Sequence, residues 1–335
     1  MDDSTSPPPA ERVPALVERG ATDEAVAALD RLRSAPADER KEAMQSLESS
    51  AGDLASAPDP VLTALAGFLE DSDRSVRLAA AKLLVTLAEA APDAVAPVVP
   101  ALADRLADEG EFYFVRARAA EALGYVALER PDDVASPETL ADLRVGLSFD
   151  EPEVREKLAK ALEHVALGDP GRLRHQAATL ADHLDDENDL VRYHMCTALA
   201  VVGCEHPAAL ADARDALGER LADENRHVRG RAAEALGLLG RAPADERSTP
   251  RSDLAELTDD EPFVAERARF AVRAGDDGSG PDDIPDAVGS VAAIRETTGD
   301  VADDVASADG EECPGCGLEL PDAGPPMCPR CGAPR

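Results

Sequence analysis

The chain contains no tryptophan, three tyrosines and six phenylalanines among 335 residues. Small-molecule pockets are usually lined by aromatic as well as aliphatic side chains, so this scarcity argues against a conventional enzyme cleft. Lysine is nearly as rare. Lys41, Lys82, Lys157 and Lys160 stand against 68 acidic residues, and the formal net charge is −34. Such a balance excludes broad electrostatic attraction to nucleic acid, which relies on Lys and Arg meeting phosphate. No apolar run approaches the roughly 20 residues of a membrane span, and the Asp-, Ser- and Pro-rich start has no secretory pattern. A soluble, cytoplasmic protein is the expectation. Of six cysteines, four fall in two tight pairs, a usage that suits metal binding better than a disulfide framework.

What the chain does have is repetition. An acidic turn followed by Val-Arg recurs at Val76, Val115, Val154, Val191, Val228 and Val264, at spacings of 39, 39, 37, 37 and 36 residues. Arg77, Arg116, Arg155, Arg192 and Arg229 follow the first five, and Ala265 follows the sixth. Four residues after each Val come Ala80, Ala119, Leu158, Met195, Ala232 and Ala268; eight after come Leu84, Leu123, Leu162, Leu199, Leu236 and Val272. Offsets 0, 4 and 8 make one stripe of an α-helix. A preceding helix is marked by Leu65/Leu69, Leu102/Leu106, Leu143/Leu147, Leu180/Leu184 and Leu217/Leu221, with Asp253 and Leu257 in the last copy. Asp59-Pro60 and Ser136-Pro137 read as caps before Pro at the first helical position. Asp150, Glu187, Glu224 and Asp260 precede second helices, where acidic groups suit the helix dipole.

Each unit is therefore a helical hairpin of about 37 residues that buries its apolar faces only by stacking on its neighbours. These motifs resemble HEAT repeats, including the HEAT-like repeats of the phycobilin lyase type. The expected fold class is all-α: an α-α superhelix, or HEAT solenoid, with a small C-terminal zinc ribbon. Residues 1–10 read as a disordered tail, 11–58 as a helical cap and degenerate repeat marked by Leu29, Leu32, Met44 and Leu47, and 59–274 as six HEAT repeats. Residues 275–312 read as an acidic flexible linker and 313–335 as the ribbon. High Asp and Glu with little Lys resembles the proteins of salt-in halophilic archaea, where molar salt screens such a charge within about 3 Å.

Two features of the repeat bear on binding. The Val-Arg arginines are expected to bond Asp and carbonyl groups of neighbouring turns, a ladder that HEAT families commonly build. Three residues after each anchor lie Ala79, Arg118, Lys157, His194, Arg231 and Arg267, five of six basic in an acidic protein. Local pairs such as Arg118–Glu121 and Arg231–Glu234 account for some of this row. The remainder reads as a basic ridge for an acidic peptide, of which the chain's own acidic linker is one. Phe112, Tyr113 and Phe114 form an aromatic insertion before Val115, a candidate contact with a partner.

The C-terminus carries Cys313-Pro-Gly-Cys316-Gly and Cys328-Pro-Arg-Cys331-Gly. Two residues between cysteines let both sulfurs reach one tetrahedral ion, so the four thiolates are expected to hold one structural Zn²⁺ per chain with no open position for a catalytic water. The surrounding residues are formally neutral, from Arg330 and Arg335 against Glu319 and Asp322. HEAT-like proteins include a di-iron hydroxylase whose ligands come as His-Glu pairs; here Glu163-His164 and Glu205-His206 run the other way. Cys196 falls in a small-residue register of the core, and Cys204 near a helix end, without an evident base. There is no phosphate-binding Gly-rich loop and no nucleophile elbow. The reading is a non-enzymatic interaction scaffold for protein partners. A nucleic-acid-associated regulator using the ribbon and a lyase-like or oxidoreductase HEAT-repeat enzyme are the alternatives.

Overall fold

The computed structural model describes residues 12–243, 250–274 and 288–306, and the backbone of residues 310–312 and 319–321. The zinc-ligand candidates Cys313, Cys316, Cys328 and Cys331 and the tail 1–10 lie outside the described residues. The chain divides into two compact units, residues 1–150 and 151–335.

The second helix of each hairpin carries the anchor stripe. In the first unit these helices are α1 (Ala37–Ser49), α2 (Arg74–Ala90) and α3 (Tyr113–Glu129). Val76, Leu84, Val115, Ala119 and Leu123 are completely buried, and α2 packs between α1 and α3. The outer layer is made by Thr22–Leu32, Asp59–Ala66, Val99–Ala107 and Pro137–Gly146. Its paired leucines, from Leu65 to Leu147, are buried as the periodicity requires. The degenerate N-terminal unit is a true hairpin with Leu29, Leu32, Met44 and Leu47 inside.

In the second unit the same role falls to α4 (Pro152–Gly168), α5 (Asp189–Glu205), α6 (Arg226–Leu239) and α7 (Pro262–Ala274), each packed on the next. Val154, Val191, Val228 and Val264 are again fully buried. The last hairpin departs from the expected register. Leu254, not the Asp253 position, fills the core, and Leu257 and Val272 are only half-buried because nothing of the repeat follows them.

The helix starts differ from the expected caps. Ser136 does cap its helix, accepting from the Thr139 amide at 3.1 Å. Asp59 does not, since the helix begins with Asp59 itself after Pro58. The recurrent caps are Asp73, Asn188 and Asn225, three residues before the anchor valines, whose side chains accept amides of the first turn at 2.8–3.4 Å.

The acidic segment 275–312 differs most from expectation. Residues 291–306 form a 16-residue helix, α8 (Val291–Ala306), packed on α5 rather than a tether. Val288, Ala293, Ile294, Thr298 and Val305 are buried. Beyond it, β1 (Gly310–Glu312) pairs antiparallel with β2 (Glu319–Pro321), Glu312 opposite Glu319.

Candidate functional site

The Val-Arg arginines are consumed by the fold. Arg77 grips Glu111 side-on through Nε and Nη2 at 2.7 and 2.8 Å; Arg192 holds Asp223 at 2.9 and 3.0 Å, and Arg155 holds Asp186 at 2.8 and 3.1 Å. Arg229–Asp260 is the last rung, and Arg40–Asp71 adds one from the degenerate unit. Arg77, Arg192 and Arg229 also donate to the carbonyls of Asp71, Asp186 and Asp223. Each of these three aspartates thus accepts one arginine on its carboxylate and the next on its carbonyl. Arg116 departs from the pattern, donating to the Leu106 carbonyl at 2.8 Å and lying over the Phe149 ring. The ladder is a structural element whose guanidiniums are engaged by carboxylates and carbonyls of the fold.

The second basic row is not an open ridge. Arg118 is paired with Glu121 at 2.6 Å on α3, and Lys157 with Glu156 at 2.7 Å on α4. His194, Arg231 and Arg267 are buried: the chain's own acidic helix packs on α5 and bonds Arg231 through Thr297, while Arg267 is covered by Glu234 and the Phe263 ring. What was expected as an exposed surface is a groove on α5, α6 and α7, filled by α8.

Its chemistry is a chain of polar contacts. His194 Nδ1 on α5 lies 2.5 Å from Glu163 Oε2 on α4, and the other Glu163 oxygen accepts from the Thr298 hydroxyl of α8 at 2.7 Å. Tyr193 Oη is 3.1 Å from the same hydroxyl. Arg231 on α6 donates to Glu234 at 2.8 Å and to Thr297 Oγ1 at 3.1 Å. Arg267 on α7 adds a second bond to Glu234 at 3.1 Å and sits over the Phe263 ring at 3.5 Å. The second Glu234 oxygen accepts the Gly289 amide at 2.8 Å. Gly289 has φ +75°, and a Cβ there would stand 2.7 Å from the Phe270 ring, so the entry to α8 requires glycine. At the other end, Asp304 accepts from Arg226 and faces His227 Nε2, both at 2.7 Å.

These contacts set the charges. Burial alone would push the Glu163 carboxyl up, but the positive field and hydrogen bond of His194 outweigh it and hold the group below the ordinary carboxylate range. Glu234 behaves alike: burial raises it, Arg231 and Arg267 lower it further. Both remain anionic inside the protein. Burial also pushes the Cys196 thiol far up and that of Cys204 up to about 12, so neither supplies a thiolate at neutral pH. Among the described residues no group of three or more His, Cys, Asp or Glu is placed to hold a metal ion. Glu163 of the Glu163-His164 pair is engaged by His194 and Thr298 rather than by neighbouring ligands.

The aromatic insertion packs on itself. Phe112, Tyr113 and Phe114 have ring centroids 4.7–5.4 Å apart, and Arg74 stacks over Phe112 at 5.1 Å. All three are half-buried. Sequence reasoning found the groove's basic residues, the Arg231–Glu234 pair and the acidic linker as a candidate occupant, but missed that the linker docks as a 16-residue helix and that Glu163 pairs with His194. The signal for the lid was present, a stripe at Ile294, Thr298, Val301 and Val305, but it is short and half polar.

Comparison with known proteins agrees with this architecture. A family model for HEAT repeats matches residues 177–273, and a HEAT repeat model matches residues 61–91. Among curated proteins, no sequence match reaches significance. Among solved structures, the designed armadillo repeat protein YIII(Dq)4CqI superposes with a TM-score of 0.57 at 19% identity, covering 64% of this chain and 100% of that one. An engineered protein from a structural genomics consortium covers 92% of this chain and 86% of its own, with a TM-score of 0.59 at 20% identity. The designed armadillo repeat protein YIII(Dq.V1)4CPAF, in complex with the peptide (KR)4, covers 70% of this chain and 99% of its own, at 20% identity and a TM-score of 0.50. At these identities the likeness is one of fold.

Proposed function

We propose that this HEAT-repeat chain is a non-enzymatic scaffold that binds protein partners and carries a small zinc-bound module at its C-terminus. The observation that carries the reading is the groove on α5–α7, which already holds a helix. A repeat surface that recognises one helical segment through side-chain hydrogen bonds and buried apolar contacts has the properties a partner site needs. The designed armadillo protein solved with (KR)4 lends support, as a related fold that holds a peptide. Affinity capture from native extract, with the full chain and with a chain ending at Ala274, tests the scaffold. Stoichiometric retention of the same proteins on repeat preparations is expected; retention of none by either chain counts against it.

For the metal, the donor set argues for zinc: four soft thiolates from Cys313, Cys316, Cys328 and Cys331, in two C-P-x-C-G knuckles, favour tetrahedral Zn²⁺ and leave no site for water. A chain this short requires a metal for stability. Protein purified under reducing conditions without chelators should contain one zinc per chain, and Cys328→Ser should lose it. Metal analysis without zinc removes the ion from the proposal. No described helix is long and apolar enough to cross a membrane. A cytoplasmic, haloarchaeal setting rests on the acidic, lysine-poor composition alone.

A further inference from the structure

The groove under α8 has binding capacity that α8 leaves unused. The guanidinium of Arg231 is fully buried, yet its Nε has no hydrogen-bond partner among the described residues. Nη2, on the same edge, meets only two hydroxyls, Thr297 Oγ1 at 3.1 Å and Tyr193 Oη at 3.4 Å. His227 Nδ1, under the other end of α8, is likewise buried and unsatisfied. Buried polar atoms without partners are uncommon in native proteins. Elsewhere in this chain the same Nε–Nη2 edge is filled by a carboxylate: Glu111 on Arg77, Asp186 on Arg155, Asp223 on Arg192. Such side-on pairs are about twice as strong as a neutral hydrogen bond.

The groove is also complementary in charge to an acidic helix. Arg226, Arg231 and Arg267 line it, with His194 and His227, against the two carboxylates Glu163 and Glu234. On α8, Arg295 stands against Glu296, Asp300, Asp303 and Asp304. The groove does not depend on α8 for its own pairing. The bonds of Glu163 to His194, and of Glu234 to Arg231 and Arg267, are made among α4–α7 and involve no residue of α8.

Building on the scaffold reading, we infer that α8 is a resident competitor in the partner site. The partner is an acidic helix with the α8 pattern and a carboxylate where α8 has Thr297. Its apolar residues take the places of Ile294 and Val305, and its acidic end takes that of Asp304. The carboxylate closes on the Nε–Nη2 edge of Arg231 that a threonine only half fills. α8 is thus held well enough to cover the groove and weakly enough to be exchanged.

The test uses the full chain and two labelled peptides spanning residues 288–306, one native and one with Thr297→Asp, a near-isosteric change. Binding is read by fluorescence anisotropy at a salt concentration where the chain is folded. Ile294→Asp in the full chain releases α8; Asp304→Arg is a second, milder release that removes the contact with Arg226. Released chains should bind the Thr297→Asp peptide about tenfold tighter than the native one. The wild-type chain should bind both more weakly, since its own α8 competes. Equal affinity for the two peptides overturns the inference, as does equal binding by wild-type and released chains. Hydrogen exchange gives a reading free of substitutions: α8 amides should open well before those of α5–α7, and opening only with global unfolding is a negative result. Dimerisation of the released chains through exchanged α8 makes a second copy the occupant, which also overturns it. Peptide binding without any captured protein retires the scaffold reading and leaves the groove assignment intact.

Discussion

Asp223 shows how much one residue does in this fold. Its carboxylate receives Arg192, its carbonyl receives Arg229, and an oxygen also accepts the Asn225 amide at 3.0 Å. Its side chain is 2% exposed, so removing it leaves a buried guanidinium uncompensated. Asp223→Ala should therefore cost about 3–5 kcal/mol in denaturant unfolding, whereas Asp133→Ala, at an exposed pair with Arg130, should cost less than about 1 kcal/mol. Equal effects would mean that the ladder is ornamental. The acidic residues expected before the second helices were read for the helix dipole. Each turn has two acidic neighbours, and the turn backbone selects Asp186 and Asp223 rather than Glu187 and Glu224 for the main rungs, a choice that composition does not encode. Glu163 gives a pH prediction. Its carboxyl is depressed in the folded chain and ordinary in the unfolded one, so its contribution is complete above the ordinary carboxylate range and is lost as the pH falls through its folded value. The wild-type advantage over Glu163→Gln should shrink on acidification. An advantage that grows instead contradicts the charge assignment.

At the scale of elements, the anchor stripe fixed every second helix from Val76 to Val264, because period and burial coincide there. Element ends were less legible. Asn188 and Asn225 cap helices from within acidic turns where several side chains are chemically eligible. Asn225→Ala should cost about 1 kcal/mol in thermal unfolding, and a neutral result means that the cap bonds are dispensable. The acidic segment was legible as a candidate occupant, but the extent of α8 was not, for a different reason. Its buried face is made of Ala293, Ile294, Thr298 and Val305, too few apolar residues to mark a helix without knowledge of the groove that receives them. Gly289 is the local device that makes the docking feasible. Gly289→Ala adds a strained φ and a contact with Phe270, so α8 should lose hydrogen-exchange protection while α5 and α6 keep theirs. Protection lost equally across α5, α6 and α8 contradicts a separately dockable helix.

For the whole molecule, charge is the dominant property. A formal −34 on 335 residues creates self-repulsion that salt relieves, since screening shortens from about 10 Å at 0.1 M to about 3 Å at 1 M. The melting temperature should rise between 0.1 M and about 2 M KCl. A flat or falling profile removes the halophilic interpretation. The buried rungs change little in the same range, so the gain should come from the exposed carboxylates. The helical repeat class was legible because six weak signals at one spacing reinforce each other. The groove's contacts with the linker helix were not, because they join residues as distant in sequence as Glu163 and Thr298.

The doubled role of the ladder aspartates also sets how such a chain can change its length. At Asp71, Asp186 and Asp223 the arginine of one hairpin and that of the next meet at the same residue, so at these joints a hairpin ends in the half-site that its successor completes. Removing one full period brings an arginine against an equivalent aspartate and restores the joint; removing any other length leaves two broken halves. Growth and shortening of the array are therefore quantised, with the hairpin as the heritable unit.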